Sequence, residues 1–176
     1  LEHPVSVEEQ NARIDAIANT AFSVDDSERL RAALSSAKTM LYLGDNAGEI
    51  VFDKLLIERI RQAYPQVEVS FVVKGSAVLN DVTRADALEV GMGELARVID
   101  NGDASPGTVL PRTSESFRRA FAEADVVLSK GQGNFESLGG VEKEHLFFLF
   151  TAKCDTVCAE AGVPKFSIVC MENRIS

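Results

Sequence analysis

A chain of 176 residues and 19.1 kDa is long enough for one domain and too short for two of ordinary size. Its 45% hydrophobic and 26% charged residues exclude a disordered chain. Eighteen basic and twenty-seven acidic residues give a net charge of −9, which disfavours nucleic-acid and anionic-membrane partners because both bind basic surfaces. No apolar run approaches the roughly 20 residues of a spanning helix, so we expect no membrane partner.

Cysteine and histidine are scarce and are not spaced like metal ligands. The three cysteines, Cys154, Cys158 and Cys170, form no Cys-x-x-Cys pair, and the two histidines lie far apart in the sequence. A structural zinc site needs four such ligands at close spacing, and a secreted disulfide scaffold needs an even number of cysteines. We therefore expect a cytoplasmic protein whose cysteines pack in the core.

Helical periodicity occupies the first 37 residues. Apolar residues recur at helical spacing from Val7 to Ala21, and a second short helix is predicted to begin at Ser27. After Lys38 the pattern changes to short apolar strands that alternate with amphipathic helices. The sequence thus predicts a helical N-terminal segment over residues 1–37, part of a larger helical region, and an α/β domain over residues 38–176.

The second part of the chain contains six predicted strands and four predicted helices. The strands are Thr39–Leu43, Val67–Val73, Arg97–Ile99, Asp125–Ser129, Leu146–Phe150 and Phe166–Cys170. The helices run from about Ala47 to Ala63, Val82 to Glu89, Ser114 to Ala124 and Asp155 to Ala161. Continuous apolar strands between helices are typical of a parallel sheet covered on both faces. The predicted fold is a three-layer α/β/α sandwich with a mostly parallel sheet and a helical N-terminal appendage.

Polar residues follow four of the predicted strands, at the edge where an open parallel sheet binds its ligands. The four corners are Gly44–Glu49, Lys74 with Asn80 and Asp81, Asp100–Asp103, and Ser129–Asn134. For a single aspartate, capping of the next helix is the more common explanation, and it stays open for Asp45, Asn46 and Asp81. Four corners that converge in space favour a ligand site instead.

The residue types at these corners favour metal and phosphate chemistry. Aspartate and asparagine oxygens, with little histidine or cysteine available, are typical ligands of a hard cation such as Mg²⁺ or Mn²⁺. A lysine set among glycines, whose N–H groups can face outward, suits a phosphate group. A metal combined with a phosphate clamp predicts a phosphatase or phosphoryl-transfer site.

Several other enzyme classes are excluded because their motifs are missing. The first strand is followed by Asp45-Asn-Ala47, which lacks the Asp-x-Asp of haloacid-dehalogenase phosphatases, and the chain has no P-loop motif or nucleophile elbow. The run Gly91-Met-Gly93-Glu-Leu-Ala96 matches a dinucleotide fingerprint in letters only, because it follows a helix rather than a strand. No histidine is placed to activate Cys154 or Cys158 as a nucleophile.

Three runs of residues together carry a family resemblance. In order and spacing, LYLGDNAGEIVFDKLLIE, VVKGSAVLNDVTRADALEVG and ADVVLSKGQGNFESL resemble the metal-dependent damage-control phosphatases, formerly domain of unknown function 89. The resemblance covers about Lys38 to Asn173. It implies an α/β/α sandwich with a helical N-terminal region. It also implies hydrolysis of small phosphorylated metabolites, such as sugar phosphates or damaged cofactor precursors, with a divalent metal.

The resemblance also implies a metal site and a catalytic set. It implies that Asp45, Asn46 and Asp81 are the metal ligands, for Mn²⁺ or Mg²⁺, with Ni²⁺ and Co²⁺ as further candidates. With Lys130, these three residues form the predicted catalytic set. Asp81 is a candidate general base if it is not a tight ligand, and Glu49 is the other candidate.

Substrate binding is implied for a second group of residues. The family's phosphate-binding lysine corresponds to Lys130, with Gly131 and Asn134 in the same loop. Glu49 and Lys74 lie within matched motifs and are further candidates for contact with the substrate. A small phosphorylated metabolite is thus the expected partner.

The N-terminus departs from the family pattern. Microbial members usually begin with a larger helical region that contains a Cys-x-x-Cys, and this chain has neither feature. Either the chain is a fragment of a longer protein or part of the cover of the site is missing, so substrate selectivity stays open. The alternative function is a non-catalytic metabolite- or phosphate-binding domain. A cofactor-dependent transferase is a third candidate, which the missing glycine-rich fingerprints disfavour.

Overall fold

A seven-stranded sheet forms the centre of the fold in the computed structural model, which describes residues 20–174. The strands are β1 (Val24–Asp25), β2 (Thr39–Leu43), β3 (Glu68–Val73), β4 (Arg97–Asp100), β5 (Val126–Lys130), β6 (Leu146–Thr151) and β7 (Ile168–Glu172). They lie in the order β1-β7-β6-β5-β2-β3-β4. Neighbouring strands are parallel except β6 and β7, which are antiparallel. The prediction of a mostly parallel sheet is confirmed.

Helices cover both faces of this sheet. Within residues 20–174 they are α1 (Ser27–Ser36), α2 (Ile50–Ala63), α3 (Arg84–Glu89), α4 (Glu115–Glu123), α5 (Gln132–Leu138) and α6 (Asp155–Ala161). Helices α1 to α3 pack on one face around Tyr42 and Phe71, and α4 to α6 pack on the other face around Phe148. This arrangement confirms the predicted three-layer sandwich. In the part of the chain that the structure describes, no helix has the length and apolarity needed to cross a membrane.

The chain reverses its direction of travel across the sheet between β2 and β5. From β2 it moves outward through β3 to β4, and it then returns to the other side of β2 to form β5 and β6. Leu43 of β2 lies opposite Ser129 of β5, so the carboxyl ends of these two strands are neighbours. In open α/β sheets such a switch point leaves a crevice in which ligands bind.

The ends of several predicted elements shift for identifiable reasons. The helix predicted from Val82 begins at Arg84, because Thr83 forms a capping box in which its N–H and hydroxyl donate to Asp86 at 2.7 and 2.6 Å. The strand predicted from Phe166 begins at Ile168, since the φ angle of Phe166 is +67° and places that residue in a turn. A 3₁₀ turn over Ala47–Glu49 precedes α2.

Two elements were missed by the sequence reading. Val24–Asp25 is a strand that pairs with β7, inside a segment predicted as wholly helical. Gln132–Leu138 is a helix, whereas its first residues were assigned to a glycine-rich turn. The helix predicted from Ser27 is confirmed as α1, while the helical pattern of residues 1–19 lies outside the described residues. The boundary after residue 37 stays a prediction.

Candidate active site

The predicted metal ligands lie together beside the switch point. Asn46 and Asp81 face each other in an antiparallel bridge, and the N–H of Val82 donates to the carbonyl of Asp45 at 2.7 Å. The segment after β2 is thereby joined to the segment before α3. The structure therefore brings Asp45, Asn46 and Asp81 to one corner, as the sequence predicted.

Helix capping does not account for these residues. The N-cap of α2 is Glu49 and that of α3 is Thr83, so neither Asp45 nor Asp81 occupies a cap position of these helices. Asn46 precedes the 3₁₀ turn but makes no side-chain capping hydrogen bond. Its amide nitrogen donates instead to Asp45 Oδ2 at 3.0 Å and to Glu49 Oε1 at 3.3 Å. The polar side chains of this corner are thus directed at each other.

Negative charge accumulates around Asp45. The pKa of Asp45 is raised from 3.8 to about 6; burial contributes most, the carboxylates of Glu49 and Asp81 add to the shift, and Lys130 and Lys153 oppose it. When Asp45 is ionised, it repels the carboxylates of Glu49 and Asp81, and a bound cation would offset that repulsion. The site therefore has the electrostatic character of a cation-binding site.

Gly131 allows β5 to approach Asp45. Its φ angle is +83°, and a Cβ atom at this position would overlap the Asp45 carboxylate. Glycine is therefore needed for two reasons, namely the left-handed backbone and the close contact. Gly131 thus lets the Asp45 carboxylate, which follows β2, lie against the end of the neighbouring strand β5.

Replacing Gly131 by alanine should cost stability and activity together. We expect the free energy of unfolding to fall by about 1–3 kcal/mol, because the alanine would be strained at this φ angle. The added methyl group would also displace the Asp45 carboxylate. Gly140→Ala is the matched control, because Gly140 also has a positive φ of 76° but a Cβ atom there would meet open space. Thermal unfolding and the metal-stimulated phosphate release that the sequence predicts would be measured for both variants. Equal activities in the two variants would contradict the proposed role of the close contact.

Lys130 lies between two carboxylates. Its Nζ is 2.8 Å from Asp53 Oδ1 and 3.0 Å from Glu49 Oε2. Burial acts to lower the pKa of Lys130, but Asp53 and Glu49 outweigh it and raise the pKa above its usual value. The charged ammonium is thus held at the pocket wall. Its role in phosphate binding stays a prediction.

Asp53 is a site residue that the sequence reading missed. It is 2% exposed in the first turn of α2, and its Oδ1 accepts a hydrogen bond of 2.6 Å from the Tyr42 hydroxyl. An aspartate in the first turn of a helix is normally explained by its favourable interaction with the helix dipole. That explanation gives no reason to expect the side chain to face inward. In the sequence, Asp53 interrupts the apolar helix face between Ile50 and Ile57, and this interruption could have indicated an aspartate that faces inward.

Lys74 supports Asp81 rather than lining the pocket. Its ammonium donates to the carbonyl of Ser105 at 3.0 Å and to the carbonyl of Gly107, and it is 3.3 Å from Asp81 Oδ2. Only 6% of Lys74 is exposed. These contacts orient the Asp81 carboxylate, while the predicted contact between Lys74 and a substrate remains untested.

Asn134 connects the end of β5 to the loop that contains Thr108. Its amide nitrogen donates to the carbonyl of Lys130 at 2.7 Å, and its amide oxygen accepts from the Thr108 hydroxyl at 2.7 Å. The side chain is buried, with 2% exposed. Both polar ends of Asn134 are therefore engaged by protein groups, and its predicted contact with a substrate stays a prediction.

A pocket of about 150 Å³ opens beside these residues. It is lined by Asp45, Glu49, Lys130, Gly131, Gln132, Leu149, Phe150, Thr151 and Lys153. A larger groove of about 610 Å³ runs along α1 and α2, but it is mainly apolar and lies away from the acidic corner. The small polar pocket is the better candidate because the charged groups converge there.

Lys153 is the second site residue that the sequence reading missed. It follows β6 at the carboxyl edge of the sheet, and its exposed side chain lines the pocket. Its N–H donates to Gln132 Oε1 at 2.8 Å, and Gln132 Nε2 lies 3.3 Å from Cys154 Sγ. The rule that ligands bind beyond the strand ends applies to β6 as well and would have found this lysine.

The cysteine thiols give no sign of a nucleophile. Cys154, Cys158 and Cys170 are free, and burial raises the pKa of Cys170 to about 11. A thiol with a raised pKa is protonated at neutral pH and reacts slowly. Cys154 and Cys158 are partly buried and pack against the core rather than within it, and packing stays the predicted role of the three cysteines.

Comparison with known sequences identifies the family. A sequence model of the damage-control phosphatase ARMT1-like domain matches residues 2–169. The chain belongs to this family. The resemblance carried by the three sequence runs is thereby confirmed.

Individual relatives agree with this assignment. A damage-control phosphatase of Pyrococcus horikoshii is 38% identical over 169 residues, which cover 96% of this chain and 58% of that protein. A damage-control phosphatase of Archaeoglobus fulgidus is 33% identical over 162 residues, which cover 92% of this chain and 55% of that protein. The crystal structure of a DUF89 family protein from Pyrococcus horikoshii has a TM-score of 0.93 at 37% identity and covers 98% of this chain and 60% of that chain. The chain thus spans less than two thirds of the length of these relatives.

Proposed function

We propose that this chain is the metal- and phosphate-binding part of a cytoplasmic phosphatase that hydrolyses small phosphorylated metabolites, such as sugar phosphates or damaged phosphometabolites. One observation carries the proposal. Asp45 lies at the switch point of the sheet with a raised pKa, and it shares a pocket with two lysines. Carboxylates for a cation and ammonium groups for a phosphate are thus adjacent. Family membership supports the phosphatase chemistry.

The donor set fits a hard divalent cation. Among residues 20–174, no three His, Cys, Asp or Glu side chains form a cluster that would hold a metal ion. A cation here would be held by the carboxylates of Asp45 and Asp81 and by the amide oxygen of Asn46, which would replace the amide nitrogen that faces Asp45 in the structure. Mg²⁺, and Mn²⁺ with its similar oxygen preference, suit such a site because Mg²⁺ usually binds one or two carboxylates together with substrate phosphate and water. When bound, the cation would lower the pKa of a coordinated water and withdraw charge from the phosphoryl group.

Two lysines provide positive charge for the phosphoryl group at different depths. Lys153 is exposed and lines the pocket, so its ammonium is available to contact a phosphate oxygen. Lys130 lies deeper, and its charge is shared between Asp53 and Glu49. We infer that Lys153 captures the substrate phosphate and that Lys130 stabilises charge as the ester bond breaks.

Glu49 is the better candidate for the general base. Its carboxylate lines the pocket and its side chain is 42% exposed, whereas Asp81 is tied to Lys74. In the hydrolysis, the water oxygen bonds to phosphorus, the ester P–O bond breaks, and the leaving alkoxide takes up a proton from solvent to become the alcohol. Glu49 would accept the proton released by the water.

Phosphate release from p-nitrophenyl phosphate tests the proposed function. The purified protein would be stripped with a chelator and assayed alone, with Mn²⁺ and with Mg²⁺. We expect turnover that depends on added metal, and a set of phosphorylated metabolites assayed next would rank the substrate classes. Binding of inorganic phosphate without turnover of any ester would contradict the proposal and favour the non-catalytic binding domain.

Replacing Lys153 by alanine should weaken substrate capture. A lost charge-assisted hydrogen bond of about 1.5–3 kcal/mol corresponds to a roughly ten- to hundredfold lower kcat/KM. Most of the effect should appear in KM, because the exposed Lys153 is proposed to contact the phosphate when the substrate binds. Lys165→Ala is the matched control, since Lys165 is an exposed lysine paired only with the exposed Asp155 at 3.4 Å among the ion pairs of residues 20–174. Unchanged kinetics in Lys153→Ala would remove this residue from the site.

A further inference from the structure

A buried acid lies behind Lys130. Asp53 is 2% exposed, and its Oδ1 accepts from both the Tyr42 hydroxyl and Lys130 Nζ, at 2.6 and 2.8 Å. Its Oδ2 is buried and makes no hydrogen bond to any of residues 20–174. A carboxylate in this environment is held away from water and is only partly compensated.

Stability alone gives no reason for this arrangement. Buried ion pairs are often replaced by apolar residues without loss of stability, because desolvation of the charges offsets their attraction. An apolar side chain at position 53 would extend the face formed by Ile50 and Ile57, which pack in the core on the same helix. The acid therefore calls for an explanation other than packing.

The geometry points to control of the Lys130 ammonium. Asp53 approaches it from the core side, and the half-exposed Glu49 approaches it from the pocket side at 3.0 Å. Tyr42 is fully buried on β2, and its hydroxyl fixes the same oxygen of Asp53 that receives Lys130. Without Asp53, the lysine would pair with Glu49 alone and would be free to move toward the acidic corner around Asp45.

We propose that Asp53, oriented by Tyr42, is a positioning residue that fixes the Lys130 ammonium at the pocket wall. Glu49 shares the ammonium but is half-exposed, so a phosphate oxygen can replace it beside Lys130, whereas the buried Asp53 keeps its contact with the ammonium. The inference rests on the proposed function for its effect on turnover. The position of the ammonium itself does not depend on that function.

A spectroscopic test measures the position without any substrate. Buried, ion-paired lysine ammonium groups exchange protons slowly enough to give ¹H–¹⁵N signals, and the Lys130 signal would be assigned by its loss in Lys130→Met. We expect Asp53→Asn to abolish this signal and Tyr42→Phe to broaden it. The signal of the buried Lys74 should persist in both variants, and Ile57→Val is the packing control on the same helix. A protected Lys130 signal that survives in Asp53→Asn would overturn the proposal.

A kinetic cycle separates positioning from a general loss of packing. Asp53→Asn should lower kcat by about ten- to a hundredfold with a smaller change in KM, the size expected for a hydrogen bond to a charged group. In a Lys130→Met background the same substitution should have no further effect, since Asp53 acts through Lys130. Equal losses in both backgrounds would show that Asp53 acts structurally.

The two tests also distinguish failure of the inference from failure of the proposed function. A wild-type protein without metal-stimulated turnover would refute the phosphatase proposal, while the ammonium spectra would still decide the role of Asp53. If Asp53→Asn does not fold, Tyr42→Phe removes only one hydrogen bond and provides the same cycle. A smaller loss of kcat that disappears in the Lys130→Met background supports positioning by Asp53, and one that persists contradicts it.

Discussion

Replacing Asp45 by asparagine should remove metal-stimulated phosphate release and leave the fold intact. The carboxylate lies beyond the end of β2 in contact with Asn46 and Gly131, outside the apolar clusters of the core. A metal ligand is worth several kcal/mol of transition-state stabilisation, so we expect a loss of roughly three orders of magnitude in kcat. Asp81→Asn should have a similar effect. Assays with saturating Mn²⁺ measure both.

The same substitution should stabilise the metal-free protein near neutral pH. Because the folded pKa of Asp45 is about 6 and its ordinary value is 3.8, the folded state binds the proton more tightly than the unfolded state. Stability of the metal-free wild type therefore falls as pH rises from about 4 to about 6. After allowance for partial exposure, we expect Asp45→Asn to gain about 1–2 kcal/mol at pH 7.5. Denaturant unfolding in the presence of a chelator measures this difference.

A matched carboxylate variant controls for charge removal. Asp100 ends β4 at the same edge of the sheet but pairs with Arg84 at 3.0 Å on the surface. Asp100→Asn should keep metal-stimulated turnover and show no gain in stability. Full activity in Asp45→Asn, or an equal loss in Asp100→Asn, would contradict the assignment of the metal site.

Replacing Lys130 by methionine should reduce both activity and stability. Loss of its contact to the phosphoryl group predicts a fall in kcat/KM of roughly ten- to several-hundredfold. The substitution also leaves the buried Asp53 without its counter-ion, which typically costs about 3–5 kcal/mol. Adding Asp53→Asn should recover part of that stability and none of the activity. Denaturant unfolding and steady-state kinetics on the same samples measure the two effects.

Lys165→Met is the control for removal of a lysine charge. Its ion pair with Asp155 is exposed on both sides, and surface pairs contribute about 0–1 kcal/mol. Neither stability nor turnover should change appreciably. Unchanged kcat/KM in a folded Lys130→Met protein would mean that Lys130 does not stabilise the phosphoryl charge and would leave Lys153 as the phosphate contact.

The fold could be predicted from the sequence because its strands are buried on both faces. Runs such as Met40–Leu43 are continuously apolar, and polar residues follow β2 and β5, which indicated where the site lies. The strand Val24–Asp25 is only two residues long, so it shows no repeating pattern of apolar residues that would predict a strand. The helix Gln132–Leu138 begins next to two glycines, so its first residues are typical of a turn.

The composition of the site could be predicted more fully than the direction of its side chains. Asp45, Asn46 and Asp81 converge as predicted, because strand ends in a parallel sheet meet at one edge. Lys74 and Asn134 have the residue types of substrate contacts, yet their polar atoms face protein carbonyls and a hydroxyl. Residue type does not reveal whether a side chain points to the pocket or to a neighbouring loop.

The most direct test of the central claim is the position of a bound metal and phosphate analogue. Crystals of the protein grown with Mn²⁺ and vanadate would be measured at a wavelength where manganese scatters anomalously. We predict a manganese peak in contact with Asp45 and Asp81, and vanadate between this peak and Lys153. Manganese bound away from Asp45 and Asp81 in a protein that still hydrolyses phosphate esters would contradict the account.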